Sequence, residues 1–339
     1  MNASAATPGQ LGYRMPPEWD RHAATWMSWP RPEGQSFPGR YDAVLPVFGE
    51  IVRALAPHEP VQINVGDAVL EAAARAVIGP VANVRFHHHP TDEPWCRDHG
   101  PMFVKRGADL AIVNWEFNGW GGKYPHAHDN AVQPRIARQL AWPLFGAGMV
   151  LEGGSIDVNG TGLLLTTESC LLNPNRNPRL TKFEIERALR DYLGVTTVLW
   201  LGNGLVGDDT DGHVDDLARF VNPATVVTVV EEDPQDVNYA ALQDNLHRLR
   251  AMKEIQRIVE LPMPGVVEFH GQRLPASYAN FYIANEIVLL PTYRHPNDAR
   301  AQAILQSLFP NRRVVPLDST ALIWGRGSFH CLTQQQPAT

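Results

Sequence analysis

Four stretches of this chain hold side chains fit for covalent or proton-transfer chemistry. Cys331 lies in Gly327-Ser328-Phe329-His330-Cys331-Leu332-Thr333, after a glycine-rich turn and ahead of a polar run, eight residues before the C-terminus. A free cysteine is commonly a small buried hydrophobe. As a nucleophile it needs its thiolate stabilised by nearby positive charge. His213 sits in Gly207-Asp208-Asp209-Thr210-Asp211-Gly212-His213-Val214-Asp215-Asp216. With Asp215 two positions on, both side chains share one face of an extended backbone. The histidine can then exchange protons while the aspartate fixes a cationic group. An acidic turn in water is the plain alternative. A metal site built on Asp211, His213 and Asp215 is another, but it wants further ligands, and His87-His88-His89 reads as a strand end.

The third stretch is Trp95-Cys96-Arg97-Asp98-His99-Gly100-Pro101, an aromatic plane three residues ahead of a carboxylate. A carboxylate can accept two parallel N–H bonds from a guanidinium while a ring covers its flat face. Taken singly, Trp95 could equally be core and Asp98 a surface partner of Arg97. The fourth is Leu151-Glu152-Gly153-Gly154-Ser155, where a carboxylate ends an apolar run. Together these stretches offer a thiol, a histidine and three carboxylates. Acyl transfer by a cysteine calls for an oxyanion hole and a cationic histidine rather than an acidic cage. A cationic substrate suits such a cage, and its charge would lower the thiol pKa.

The elements that must position these groups alternate. Strand-like runs fall at 61–65, 111–117, 162–166, 196–201, 224–230, 285–290 and 313–316. Helical patterns fall at 43–55, 69–77, 182–193, 239–253 and 298–308. This is an α/β protein. Short strands joined by Gly-, Pro- and Asn-rich connections fit several small sheets better than one doubly wound sheet. No dinucleotide or P-loop turn is present. Glycines cluster instead beside reactive side chains, at Trp120-Gly121-Gly122, Glu152-Gly153-Gly154 and Gly325-Arg326-Gly327.

Of the 339 residues, 44% are hydrophobic, enough for a substantial core, and no long linker divides the chain. Residues 1–14 read as a flexible N-terminal arm and 15–339 as a single catalytic domain. A net charge of -7 argues against nucleic acid as a partner. No apolar run reaches the length of a membrane span and no secretory leader is seen, so no membrane partner is expected. The three cysteines (Cys96, Cys170, Cys331) are too few for a disulfide framework and fit a cytoplasmic setting. The oligomeric state stays open, with room for a homo-oligomer.

The segments Trp95–Pro101, Phe117–Tyr124, Leu151–Ser155, Leu172–Pro178, Asp209–Asp215, Ala276–Asn285 and His330–Pro337 resemble agmatine deiminases and the related bacterial peptidylarginine deiminase-like proteins. The likeness runs in order from Met15 to Pro337. It implies a pentein fold, a five-bladed α/β propeller with the active site at its centre. It implies Cys331 as nucleophile and His213 as general acid and base. Asp98 and Asp215 would bind the guanidinium edges, and Glu152 would support His213 and the guanidinium. Trp95 would wall the pocket, Trp120 would contact substrate, and Gly325 and Gly327 would line the pocket with backbone. Asp209 matches the acid near agmatine's ammonium. Agmatine and water would give N-carbamoylputrescine and ammonia, with no metal or organic cofactor. Other guanidines (free arginine, peptidyl arginine, a specialised metabolite) are the alternatives. A metal-dependent hydrolase and a non-catalytic guanidine binder are competing classes. His99 and Asp211 depart from plant-type agmatine deiminases, which have a small hydroxyl residue and Asn there, and could alter the pocket.

Overall fold

The best-patterned segments form the elements that their periodicity predicts. Lys182–Leu193 starts with a capping box, in which the Thr181 side chain accepts from the Glu184 N–H and the Glu184 carboxylate accepts from the Thr181 N–H. It ends at Gly194 in the left-handed conformation. Tyr41–Leu55 buries Val44, Val47, Phe48, Ile51, Val52 and Leu55 along one face, the spacing of a core-facing helix. Thr225–Val230 reads TVVTVV and is buried throughout, as a central strand covered on both sides must be. All seven strands and all five helices read from the sequence appear within two residues of their expected bounds.

The computed structural model describes residues 6–339. Its strands form five sheets of three or four strands and one two-stranded hairpin, Glu268–Phe269 with Gln272–Arg273. The five sheets repeat one arrangement: an antiparallel pair, then a helix, then a strand parallel to the second. Met102–Arg106 pairs antiparallel with Asp109–Glu116, and helix Val132–Leu140 leads to the parallel strand Leu144–Val150. The same order recurs through Lys182–Leu193 (Asp157–Val158, Leu163–Thr167, Thr197–Leu201). It recurs through Tyr239–Ala251 (Ala218–Asn222, Thr225–Val230, Arg257–Pro262). A further copy runs through Asn297–Leu308 (Tyr282–Ile283, Ile287–Thr292, Arg313–Asp318).

The remaining sheet joins the two ends of the chain. Thr333–Pro337 pairs antiparallel with His22–Ser28, which is followed by the parallel strands Val61–Val65 and Val84–His88. This last strand, Thr-Gln-Gln-Gln-Pro, carries no apolar alternation and reads as a polar run. It is nonetheless largely buried, because its amides find partners: Gln334 donates to the Pro101 carbonyl, and Gln335 and Gln336 accept from Arg97 and Trp26.

The expected flexible arm needs correction where it is described; residues 1–5 lie outside the described part. From Gly9 onward the segment is docked. Gly9 donates to the Asp191 carbonyl, Arg14 and Lys105 exchange backbone bonds, and Tyr13 is buried. Tyr13 belongs to the hydrophobic cluster that also holds Trp115 and Leu189, which anchors this turn-rich segment.

Candidate active site

Four of the five sheets have a short helical turn just before their first strand. These turns are Cys96–His99, Gly153–Ser155, Val214–Asp216 and Phe329–Leu332, and in the remaining sheet the segment ending at Asn280 takes that place. All five segments are buried, and they carry Asp98, Gly154, Asp215, Asn280 and Cys331 toward one another.

A pocket of about 450 Å³ opens onto this cluster. Of the expected site residues, Trp95, Asp98, Trp120, Asp209, Gly325, Gly327 and Cys331 line it. His213, Asp215 and Glu152 lie beneath the floor, fully buried. The thiol of Cys331 is 3.1 Å from Asn280 Nδ2 and points its proton to Asp215 Oδ2 at 3.6 Å. Asp98 Oδ2 accepts from Trp120 Nε1 at 2.8 Å, and its Oδ1 accepts from the Gly154 N–H at 2.9 Å. Trp120 holds φ 55°, a conformation that costs a non-glycine residue strain and is tolerated at functional sites. His213 Nδ1 stands 3.7 Å from Asp98 Oδ1.

Gly154 brings the backbone close to two of the reactive side chains. A Cβ there would lie 2.6 Å from His213 Nδ1 and 2.8 Å from Asp98 Oδ1, so only glycine lets these groups converge. Gly325 and Gly327 are needed for a different reason, since a side chain on either would strike the Trp95 ring, at 2.7 and 2.5 Å. The loop before His213 winds about Asp208, whose carboxylate accepts from the N–H groups of Thr210, Gly212 and His213. That local wrap fixes where His213 enters.

Charge follows from this packing. Burial pushes the Asp98 carboxyl up to about 6, the His213 contact partly opposing it and the nearby Asp215 adding to it. Burial opposes the His213 imidazolium, yet Asp98, Cys170 and Glu152 around it hold its pKa well above the ordinary value. Burial favours the neutral form of Asp215, but His330 and His213 overcome it and keep that carboxyl low. Burial together with Asp215, Asp216 and Asp98 drives the Cys331 thiol well above the usual range. These neighbours therefore favour the thiol over the thiolate.

Glu152 sits less simply than expected. Its Oε1 accepts from Arg176 Nε at 2.6 Å, while Oε2 and both ring nitrogens of His213 are buried without a hydrogen-bond partner. Ligand-type atoms of Glu152, Cys170 and His213 all lie within 4.8 Å of one another, a set with metal-binding chemistry. Arg176 already supplies that carboxylate with a positive charge. The other metal set, with Asp211, does not form, because Asp211 is committed to Lys123, Asn175 and Arg176.

Neither Asp211 nor His99, the two positions expected to be able to alter the pocket, lines it. The Nε2 of His99 lies 3.2 Å from the Glu93 carbonyl, and burial lowers its pKa to about 4, so it is a neutral core residue. Cys96 is likewise packed, its thiol pushed by burial up to about 12. The sequence reading gave no role to Asn280, Asp216 or His330, and placed Gly154 only in a glycine cluster beside Glu152. Asn280 Nδ2 bonds both Cys331 Sγ and Asp216, and its Oδ1 accepts from the N–H groups of His330 and Cys331. The acid doublet Asp215-Asp216 and the His330-Cys331 pair were the available signals.

An α/β chain with a cysteine buried among carboxylates at a pocket floor has counterparts among known proteins. The chain belongs to the Porphyromonas-type peptidyl-arginine deiminase family, whose model matches residues 14–337. It is 38% identical to the agmatine deiminase of Ectopseudomonas mendocina, over all of this chain and 99% of that one. The agmatine deiminase of Enterococcus faecalis superposes with a TM-score of 0.91 at 33% identity, covering 99% of both chains. A cysteine-to-serine variant of the C. jejuni agmatine deiminase with substrate bound superposes at 0.90, with 30% identity and 96% of both chains covered. Among the described residues no helix is long and apolar enough to cross a membrane.

Proposed function

We propose that this protein is an agmatine deiminase, releasing ammonia from agmatine to leave N-carbamoylputrescine through a covalent intermediate on Cys331. One observation carries the reading: a pocket walled by Trp95 and Trp120 ends on the Cys331 thiol, with Asp98 beside it and Asp215 3.6 Å from the sulfur. The relatives named agmatine deiminases, matched over their full length, support the substrate.

A guanidinium entering this floor meets Asp98 and Asp215 along its edges and Trp95 on its face. It takes over the Asp215 oxygen that the thiol now uses and brings a positive charge to the sulfur. Both effects lower the raised Cys331 pKa, so when substrate is present the thiol loses its proton to solvent and the nucleophile forms. The sulfur then bonds the central carbon. His213, held protonated by its acidic neighbours, gives its proton to the departing nitrogen as that C–N bond breaks. His213 next takes a proton from water, whose hydroxyl adds to the thiouronium carbon; the C–S bond then breaks as the hydroxyl proton passes to the sulfur, leaving the urea carbonyl and the resting thiol. Glu152, anchored by Arg176, supports His213. The repeated sheet unit, and a first sheet that joins the chain ends, support a five-bladed propeller around this centre. Three free cysteines fit the cytoplasm.

The test is ammonia release from agmatine, arginine and a blocked arginine peptide, with and without EDTA. Preferential, chelator-insensitive release from agmatine is expected. Chelator-sensitive turnover, or a fully active Cys331→Ala protein, would overturn the cysteine mechanism.

A further inference from the structure

The pocket mouth is charged differently from its floor. Among the described residues, Asp98 and Asp209 are the only carboxylates lining the pocket, and Asp98 belongs to the floor. Asp209 faces the outer half already occupied: its Oδ2 accepts from the Tyr124 hydroxyl, and its Oδ1 lies 3.9 Å from Lys123 and 3.9 Å from Arg326. An ammonium arriving there would compete with two fixed cations. Two more observations point the same way. Arg326 lies between Gly325 and Gly327 at φ 66°, where glycine would fit without strain, so this position keeps a long cationic side chain at a conformational cost. Its guanidinium has only long contacts, 3.4 Å to the Gly207 carbonyl and 3.2 Å to Gln272 Oε1, leaving most of its five donors unspent. Arg40, on the same wall, stacks its guanidinium 4.1 Å over Trp324 and 5.1 Å over Phe269. No carboxylate of the described residues lies within ion-pair distance of Arg40.

We infer that the outer pocket accepts a carboxylate, and that ω-guanidino alkanoic acids are a second substrate class of this enzyme, bound at their far end by Arg326 with Arg40 beside it. The inference rests on the guanidine-deiminating reading of the floor. A planar arginine fork matches a carboxylate with two parallel hydrogen bonds. A guanidinium seated on Asp98 and Asp215 directs its alkyl tail between Trp95 and Trp120 toward this rim. The reaction at the floor is unchanged: ammonia leaves, and the product is the corresponding ureido acid.

The experiment compares 4-guanidinobutanoate with agmatine, which have similar spacers and opposite end charges. Ammonia release is measured for the unmodified protein, Arg326→Gly, Arg326→Lys and Cys331→Ala. Glycine relieves the left-handed strain, so the first variant is expected to fold. The unmodified protein should turn over both compounds. In Arg326→Gly the kcat/KM ratio of guanidinobutanoate to agmatine should fall by about tenfold or more, with KM for the acid rising and agmatine's kcat/KM increasing. Arg326→Lys should recover part of the ratio, as a charge without the fork. Turnover of agmatine but not of guanidinobutanoate above the Cys331→Ala background would overturn the inference, as would a ratio unchanged in Arg326→Gly. Turnover of neither compound would instead remove the deiminase reading beneath it.

Discussion

Substrate binding should weaken in acid for a reason that can be assigned to one side chain. Burial places the Asp98 carboxyl at about 6 rather than 3.8. It is therefore a neutral acid below that pH and a carboxylate above it, and only the carboxylate attracts a guanidinium. Asp215 is held low by His330 and His213 against burial, so it stays ionised across the same range. Measured on Cys331→Ala protein, where no turnover intervenes, the Kd for agmatine should be flat above pH 7 or so. Below about 6 it should rise tenfold per pH unit, giving roughly tenfold weaker binding at about pH 5. Calorimetry in two buffers of different ionisation enthalpy should show about one proton released on binding at about pH 5 and close to none at about pH 8. The same displacement bears on stability. A carboxyl whose folded pKa is raised contributes stability that is present below its unfolded value and lost as pH rises through the folded one. The interval from 3.8 to about 6, at about 1.4 kcal/mol per pH unit, amounts to about 3 kcal/mol lost from the empty protein. Bound guanidinium offsets that loss, so the thermal shift from agmatine should be larger at neutral pH than in acid. Equal Kd values, within a factor of about two, at about pH 5 and about pH 7.5 would refute the assignment.

Three further outcomes can be checked. Asn280→Ala removes the amide that holds the Cys331 sulfur and accepts two backbone N–H groups, so kcat should fall by about a hundredfold; a fall under about threefold would show that Asn280 only packs. Glu18→Gln should destabilise the fold by about 3–5 kcal/mol, because it leaves Arg97, Arg219 and His330 short of a buried anion. Burial raises the Glu18 carboxyl, but Arg219, His330 and Arg97 hold it well below 4.5; its stabilisation is present above that value and lost as pH falls through the lower folded one, so urea melts of the variant and parent should draw together progressively below 4.5. Cys331→Ser should abolish turnover and keep the fold, while Cys96→Ser, at a buried thiol outside the pocket, should retain most activity; the reverse pattern would reassign the nucleophile.

The sequence exposes those features that repeat or that concentrate unusual chemistry. Helix Lys182–Leu193 was legible because caps and apolar spacing agree, and strand Thr225–Val230 because it is apolar throughout. Cys331, His213 and Glu152 were legible from residue type near glycine, Asp98 from its spacing after Trp95 and Asp215 from its spacing after His213, and all five prove buried. Strand Thr333–Pro337 was not, since its burial rests on partners contributed by Pro101, Arg97 and Trp26. His99 and Asp211 looked functional because they adjoin Asp98 and His213 along the chain. In a short helical turn and in a left-handed loop residue, however, adjacent side chains point to different neighbours. Asn280 carries no charge and no nucleophile; only its place beneath the sulfur marks it.

The centre also explains why the N-terminal segment must dock. Glu18 accepts from Arg97 at 3.0 Å and from the Ile283 N–H at 2.8 Å, lies 2.8 Å from His330 Nε2, and forms an ion pair with Arg219 at 2.9 Å. These partners come from the turn bearing Asp98, the strand after Asp215, the strand after Asn280 and the turn bearing Cys331. One buried carboxylate thus ties together four of the five segments that converge on the pocket floor. His330 completes the connection: its Nδ1 lies 2.7 Å from the Asp215 oxygen that receives the Cys331 thiol. With a carboxylate oxygen at each ring nitrogen, His330 satisfies both bonds only when both nitrogens carry hydrogen, which places a positive charge one residue before the nucleophile. That charge holds Asp215 ionised for the incoming guanidinium without itself lying in the pocket. Glu18 is far from Cys331 in sequence, yet it fixes the orientation on which the electrostatics of that thiol depend.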